Sequence, residues 1–212
     1  MTRSPLELTV FIDFLCPFAY RASQWFDLLE EQRPNALAIR WRYFSLEQIN
    51  TPADMDWRIW EQPADYAGRP GSSPNHRALH AFWAAEAARR QGDAAFNTFR
   101  SALFHARHRD KIDFSDQAAI AAVARSAGLD MDRFATDSTD RSALDALCRD
   151  HEDSRAMYQA FGVPTICFDA QHAIYLKLAE VPPAEAAWPF FDELRNSITS
   201  RPWLVEIKRP NA

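Results

Sequence analysis

Apolar and polar side chains alternate over residues 7–14 and again over residues 38–44, which is the spacing of a half-buried β-strand. Between these segments, from Pro17 to Pro34, apolar residues recur at helical spacing. Two parallel strands need a crossover connection. This connection is usually a helix, and the crossover is almost always right-handed. The N-terminal part of the chain therefore predicts a parallel β-α-β unit.

The middle of the chain changes from proline-rich to helical. Four prolines and two glycines fall within residues 50–75, which predicts an irregular connection. From residue 75 to about 157, apolar positions follow the i, i+3, i+4 spacing of four to five helices. Two short strand patterns follow, over residues 164–169 and 173–176, and they predict a hairpin before a last helix at about residues 183–198.

Without the helical block, the order of elements is β-α-β followed by β-β-α, which is the order of a thioredoxin core. We therefore predict an α/β protein, a thioredoxin fold with an inserted all-helical domain. The predicted thioredoxin-like domain is discontinuous and comprises residues 1–65 and 158–200. The helical insertion domain covers residues 66–157, and residues 201–212 form a C-terminal tail.

The composition excludes several classes of partner. The 212 residues are 47% hydrophobic and 25% charged, and the formal net charge is −5. This balance leaves no excess positive field to bind nucleic acid. No apolar run approaches the roughly 20 residues of a membrane span, and residues 1–9 lack the apolar core of a signal peptide. We expect a cytoplasmic protein that binds neither nucleic acid nor membrane.

Cys16 is the residue best placed for chemistry. It follows the first strand and directly precedes Pro17, so it is expected at or just before the N-cap of the first helix. The unpaired N–H groups and the positive end of the helix dipole favour a thiolate there, which predicts a lowered pKa. A buried structural cysteine is the alternative. The three cysteines of the chain show no regular spacing, so neither a disulfide framework nor a zinc cage is expected.

Two motifs resemble those of a known family. The run Asp-Phe-Leu-Cys-Pro-Phe-Ala-Tyr at residues 13–20 and the run Phe-Gly-Val-Pro-Thr at residues 161–165 are similar to the DsbA-type thioredoxin superfamily. The likeness is greatest to its FrnE-like branch and extends to 2-hydroxychromene-2-carboxylate isomerases and kappa-class glutathione transferases. It implies a cis Val163–Pro164 bond facing Cys16, with Val163 and Pro164 binding an extended peptide or glutathione.

The chain departs from the oxidoreductases of that family at one position. They carry Cys-x-x-Cys, whereas Ala19 stands three residues after Cys16, so the motif has no resolving thiol. A single thiol attacks a disulfide and holds a mixed disulfide, which a second, external thiol must release. We expect a monothiol thiol-disulfide oxidoreductase that acts on protein or small-molecule disulfides, with glutathione as co-substrate and no bound cofactor.

The two remaining cysteines are alternative resolving thiols. Cys167 lies three residues after Pro164 on a predicted strand, and strand alternation does not decide whether its side chain faces the site or the core. Cys148 follows Leu147 on a predicted helix. A packed position in the core is the favoured interpretation of both.

Three polar residues are candidates to support the thiol. The resemblance places Asn75 and His80 at the start of the helical insertion, where they border the substrate cleft, and His80 would bind substrate or transfer a proton. A histidine on a helix surface is the alternative. Asp13, three residues before Cys16, either relays protons beneath the site or serves as the polar partner of a strand position.

No metal is expected. His76 with His80, and His105 with His108, have the i, i+4 and i, i+3 spacings of ligands on one helix face. No acidic or cysteine ligand completes either pair, and basic residues surround the second.

Two other functions compete with disulfide exchange. One is a glutathione-dependent isomerase or transferase that acts on an aromatic or electrophilic small molecule. The other is a non-catalytic module that has kept the peptide groove without the second cysteine. Trp57, Trp60 and Tyr66 either line a substrate groove or pin the irregular connection to the core, and pinning is favoured. A homodimer is left open.

Overall fold

The computed structural model describes residues 4–66, 68, 69 and 77–207. Within these ranges the chain forms four strands and eight α-helices, which are, in chain order, β1 Leu6–Ile12, α1 Pro17–Gln32, β2 Leu37–Tyr43, α2 Leu46–Ile49, α3 Leu79–Arg89, α4 Asp93–His108, α5 Gln117–Ser126, α6 Met131–Asp137, α7 Leu144–Tyr158, β3 Thr165–Cys167, β4 Ala173–Tyr175 and α8 Ala184–Thr199.

The four strands form one mixed sheet in the order β2-β1-β3-β4. β1 and β2 are parallel, joined by α1, with Leu6 opposite Leu37 and Ile12 opposite Tyr43. β3 runs antiparallel to β1, and β4 antiparallel to β3. Residues 77–157 contain helices and no strand. The predicted thioredoxin fold with a helical insertion is confirmed.

The C-terminal part of β1 is buried on both faces, because helices cover both sides of the sheet there. Val10 and its neighbour Trp41 point toward α1, where the Trp41 and Phe26 ring centroids are 5.7 Å apart. Phe11 points to the opposite face and meets Tyr158 of α7 at 5.6 Å. The prediction of a half-buried strand holds for the N-terminal part of β1, where exposed and buried positions alternate, but not for Val10 and Phe11, which both have 0% exposure.

Phe14, two residues after the end of β1, joins the sheet to the helical part. Its ring centroid lies 5.9 Å from that of Phe82 on α3 and 4.9 Å from that of Phe104 on α4. All three rings are fully buried in one hydrophobic core that includes residues of both parts. The predicted domain boundaries remain a prediction.

The irregular connection after α2 is held by its aromatic residues. Trp57 and Tyr66 are buried, and their ring centroids are 6.1 Å apart. Trp60 lies against His151 of α7 at 5.7 Å. These contacts agree with the pinning interpretation. Within the described ranges no helix is both long and apolar enough to cross a membrane.

A buried ion pair links β2 to α7. Arg42 donates from Nε to Asp150 Oδ1 at 2.7 Å and from a terminal nitrogen to Asp153 Oδ2 at 2.6 Å. The second oxygen of Asp150 accepts from the backbone N–H of Tyr43 at 3.1 Å. Both Arg42 and Asp150 are buried, so each charge depends on the other for compensation.

We predict that Arg42→Ala lowers the free energy of unfolding by about 3–5 kcal/mol, because it leaves the Asp150 carboxylate buried without its cation. Urea unfolding measures the change. Arg58→Ala is the matched control, since Arg58 pairs with Asp56 at 4.0 Å on the surface, and there a loss below about 1 kcal/mol is expected. Equal losses in the two variants would contradict the prediction.

Candidate active site

Cys16 is the N-cap of α1, as the sequence predicted. Its backbone is extended, with φ −81° and ψ 117°, and Pro17 occupies the first turn of the helix. The backbone N–H of Ala19 donates to Cys16 Sγ at 3.4 Å. A proline fits at the start of a helix because its missing N–H would have had no partner there. The thiol therefore stands where the helix offers free N–H groups.

The loop before β3 lies against the same thiol. The Val163–Pro164 peptide bond is cis, as the sequence resemblance implied. Cys16 Sγ donates to the carbonyl oxygen of Val163 at 3.1 Å, although the two residues are 147 positions apart. Val163 has 1% exposure and Cys16 has 4%. One thiol is thus held between a helix N-terminus and a backbone acceptor.

The pKa of this thiol is raised, and the expectation of a lowered pKa was wrong. Burial raises the pKa of Cys16 to about 11, and the negative charge of Asp13 adds to the rise. The Ala19 N–H and the positive charge of Lys177 act in the opposite direction and are outweighed. The helix terminus favours the thiolate, but desolvation of a charge is the larger effect at this position. At neutral pH the site holds a neutral thiol that donates to Val163.

Asp13, three residues before the thiol, binds two backbone groups. Its Oδ1 accepts from the N–H of Leu15 at 2.8 Å, and its Oδ2 accepts from the N–H of Leu46 at 2.7 Å. The residue has 0% exposure. Burial raises the pKa of the Asp13 carboxyl to about 7, against the effect of both hydrogen bonds, and the charge of Glu47 raises it further. A role of Asp13 in proton transfer remains a prediction. Its structural role is to accept these two backbone N–H groups.

Cys167 is far from the active thiol along the sheet. It pairs with Thr9 in β1, whereas Thr165, nearer Pro164, pairs with Phe11. β1 runs from Thr9 toward Cys16, at about 3.3 Å per residue, so Cys167 lies well beyond the roughly 7 Å limit between Cα atoms for a disulfide with Cys16. Burial also raises the pKa of its thiol to about 12. The pairing of Cys167 with Thr9 agrees with the interpretation that Cys167 is a packed core residue.

Cys148 and the candidate residues of the insertion lie apart from the thiol's contacts. Cys148 is half-buried on α7 and is a free thiol. His80 uses both ring nitrogens for contacts elsewhere, with Nε2 2.9 Å from the Ala64 carbonyl oxygen and Nδ1 3.3 Å from that of Phe114. These contacts tie α3 to neighbouring loops. Asn75 lies outside the described residues.

His76 also lies outside the described residues, so the structure does not describe the pair that it would form with His80. Within the residues that are described, no group of three His, Cys, Asp or Glu side chains is arranged to hold a metal ion.

Sequence reasoning did not identify a stacked pair of aromatic rings near the start of α1. The rings of His108 and Tyr20 lie 5.0 Å apart at an interplanar angle of 11°. His108 Nε2 is 3.0 Å from the carbonyl oxygen of Phe14, which makes it the donor. Burial lowers the pKa of His108 to about 4, and nearby cations lower it further. Its spacing from His105 was visible as a possible metal pair, but the stacking partner on another helix was not.

A cavity of about 360 Å³ opens next to the start of α1. Its lining comprises residues from α1, from the end of α4 and from the connection after β4, and these are Pro17, Tyr20, Arg21, Gln24, His108, Lys111, Ala179, Glu180 and Val181. Pro17, the residue after Cys16, is part of this lining, whereas Cys16 itself is not. The arrangement therefore offers one thiol, a backbone acceptor for its proton, and a cavity that begins at the residue after the thiol.

Comparison with known proteins gives related folds. A family model described as the DSBA-like thioredoxin domain matches residues 7–180. A Mycobacterium tuberculosis protein described as uncharacterized protein Rv2286c is 28% identical over 209 residues, which cover 94% of this chain and 80% of that protein.

Solved structures of the same architecture include an isomerase and a disulfide interchange protein. A 2-hydroxychromene-2-carboxylate isomerase is 14% identical with a TM-score of 0.62, covering 94% of this chain and 100% of that one. The DsbA disulfide interchange protein from Klebsiella pneumoniae is 14% identical with a TM-score of 0.54, covering 92% and 91%. Similarity at these identities shows a shared fold.

We predict that alkylation of Cys16 by iodoacetamide keeps rising with pH up to pH 10, because the thiolate is the reacting form and the pKa of the thiol is raised to about 11. The rate is followed by mass spectrometry of the peptide that contains Cys16. Free cysteine is the reference and should level off above its pKa of about 8.5. A plateau for Cys16 at or below pH 8.5 would contradict the burial argument.

We also predict a pH-dependent effect of Asp13→Asn. The folded chain holds the Asp13 proton more tightly than the unfolded chain, so the contribution of this carboxyl to stability is complete below about pH 4 and is lost as pH rises through about 7. The excess unfolding free energy of the parent over Asp13→Asn should therefore fall between pH 5 and 8, measured by urea unfolding.

Asp113→Asn is the matched control for this test. The pKa of Asp113 is lowered, mainly by the N–H of Ser115, so its contribution is already complete above about pH 4. The difference between the parent and Asp113→Asn should stay level from pH 5 to 8. A level difference for Asp13→Asn as well would show that its carboxyl is ionised throughout.

Proposed function

The chain belongs to the DSBA-like thioredoxin family, and from that membership we propose that it is a monothiol thiol-disulfide oxidoreductase acting through Cys16. Family and fold support an enzyme of the oxidoreductase or isomerase kind. The observation that carries the proposal is the placement of one thiol at the N-cap of α1, 3.1 Å from the carbonyl oxygen of Val163, with Ala19 one turn further on.

The proposed reaction has two exchange steps. The Cys16 thiolate attacks a disulfide, so that a bond forms between Cys16 Sγ and one substrate sulfur while the other sulfur leaves as a thiolate. An external thiolate then attacks the substrate sulfur of this mixed disulfide and releases Cys16. One disulfide and one thiol are consumed, and one new disulfide and one new thiol are formed. Glutathione is the external thiol we propose.

Substrate binding would favour ionisation of the thiol. The Val163 carbonyl stabilises the neutral form, since it accepts the thiol proton. A substrate N–H that donates to this carbonyl competes with the thiol for the same acceptor. The Ala19 N–H and the positive charge of Lys177, which lower the pKa of Cys16, would then act with less opposition.

A second candidate is a glutathione-dependent isomerase or transferase. The raised pKa of Cys16 favours it, because a neutral thiol can donate a hydrogen bond to the sulfur of bound glutathione without reacting. The structural likeness to a 2-hydroxychromene-2-carboxylate isomerase over the whole of that chain also supports this candidate. In this case glutathione carries the nucleophile and Cys16 orients it.

We predict that Ala19→Cys converts the protein into a dithiol enzyme. Cysteine at this position is one turn from Cys16, and a Cys-x-x-Cys pair closes a disulfide. Reduced protein is mixed with bis(2-hydroxyethyl) disulfide and without external thiol, and adducts are identified by mass spectrometry. The parent should stop at a mixed disulfide on Cys16, whereas Ala19→Cys should lose the adduct and hold an internal disulfide.

The controls separate the alternatives. All proteins carry Cys148→Ala, because Cys148 is only half-buried. Cys16→Ser should form no adduct, and Cys167→Ala should behave as the parent. A parent that resolves its own adduct, and loses this ability with Cys167→Ala, would refute the monothiol mechanism. A parent that forms no adduct but turns over an aromatic substrate with glutathione would establish the second candidate.

A further inference from the structure

Three cations lie near the N-terminal turn of α1, and we name Arg21, Lys111 and Lys177 the cationic rim. The Arg21 guanidinium lies 5.4 Å from the ring centroid of Phe18, and Lys177 Nζ lies 5.1 Å from the same centroid. Phe18 is the second residue after Cys16, so this ring fixes two cations beside the motif. Lys177 also lies 5.5 Å from the ring centroid of Tyr175.

The rim charges are not neutralised by carboxylates. Among the described residues, no ion pair within 4.0 Å includes Arg21, Lys111 or Lys177. Two of the three side chains donate to neutral acceptors instead, Arg21 to the Leu178 carbonyl at 3.0 Å and Lys111 to that of His108 at 2.6 Å. The side chains are therefore positioned while their charge stays available.

The cavity beside Pro17 shares two members of this rim. Arg21 and Lys111 both line it, and Glu180 contributes a carboxylate to the lining. His108 also lines it and is neutral at pH 7, since its pKa is lowered to about 4. Burial is the main cause of this lowering, and the charges of Arg107, Lys111 and Arg21 lower the pKa further. The lining therefore carries a net positive charge, and it includes the stacked aromatic pair described above.

We propose that the cationic rim makes Cys16 selective for disulfides and thiols that carry a carboxylate, whose anionic end binds at the cavity while the sulfur meets Cys16. This selectivity rests on the proposed disulfide exchange and adds the chemical class of its substrate. The formal charge of the chain is −5, so its long-range field repels anions. A preference for anions must therefore arise locally, from the rim.

The test compares three small disulfides that differ in charge. They are 3,3′-dithiodipropionate, which is anionic, bis(2-hydroxyethyl) disulfide, which is neutral, and cystamine, which is cationic. Rate constants for mixed-disulfide formation on Cys16 are measured by mass spectrometry at pH 7, in protein carrying Cys148→Ala. Each step forms the Cys16–substrate bond and releases one thiolate, so the chemistry is the same for all three. The anionic probe should react fastest relative to its rate with free cysteine.

Variants then assign the preference to the rim. Lys177→Gln and Arg21→Gln should each lower the ratio of anionic to neutral rate constants by about two- to fivefold, the range expected for one exposed ion pair. The ratio matters because loss of Lys177 also raises the pKa of Cys16 and slows every probe alike. Lys177→Arg should restore the ratio. Arg195→Gln, an exposed residue on α8 with the same change of charge, should leave it unchanged.

Salt gives an independent readout. At about 1 M salt the screening length is only about 3 Å, so the parent's ratio should fall toward that of free cysteine. Equal relative rates for the three probes, or a ratio that Lys177→Gln and Arg21→Gln do not change, would overturn the rim proposal while leaving disulfide exchange intact. Absence of an adduct with every probe would instead overturn the proposed exchange.

Discussion

The geometry around Cys16 depends on one buried carboxyl group. Asp13 directly follows the central strand β1 and accepts the N–H groups of Leu15 and Leu46, so it fixes the turn into α1 against the start of α2. Its own carbonyl accepts the N–H of Cys16 at 3.0 Å. The thiol, the helix terminus and the Phe14 ring all follow from this turn. The cost is electrostatic, because a carboxylate below the sulfur disfavours a second negative charge.

Much of the fold could be predicted because its signals are local. Pro17 marked the start of α1 and thereby the N-cap at Cys16, and alternation marked the strands. The pairing of Arg42 with Asp150 was not accessible, because 108 positions separate the two residues and nothing near Arg42 in sequence indicates its partner. Alternation suggested a polar, outward position for Arg42, whereas helix α7 covers that face of the sheet.

The site was predicted in part, for a related reason. The cis bond before Pro164 and its place beside Cys16 followed from the family resemblance. The ionisation of Cys16 did not, because a helix N-terminus can be recognised in sequence but the depth of burial cannot, and burial decides the pKa of this thiol. His108 and Lys177 were missed because they reach the site from distant elements, α4 and the segment after β4.

The contacts of Phe14 limit how the molecule can evolve. A ring from the sheet that meets Phe82 and Phe104 in one dry core means that the helical insertion is not an interchangeable module. A lobe transplanted from a relative would bring side chains of other shapes to Phe14, and mismatched packing of this kind costs about 1–3 kcal/mol at each poorly fitted residue. A substitution on α3 or α4 that changes the packing around Phe14 would therefore also act on the turn that holds Cys16.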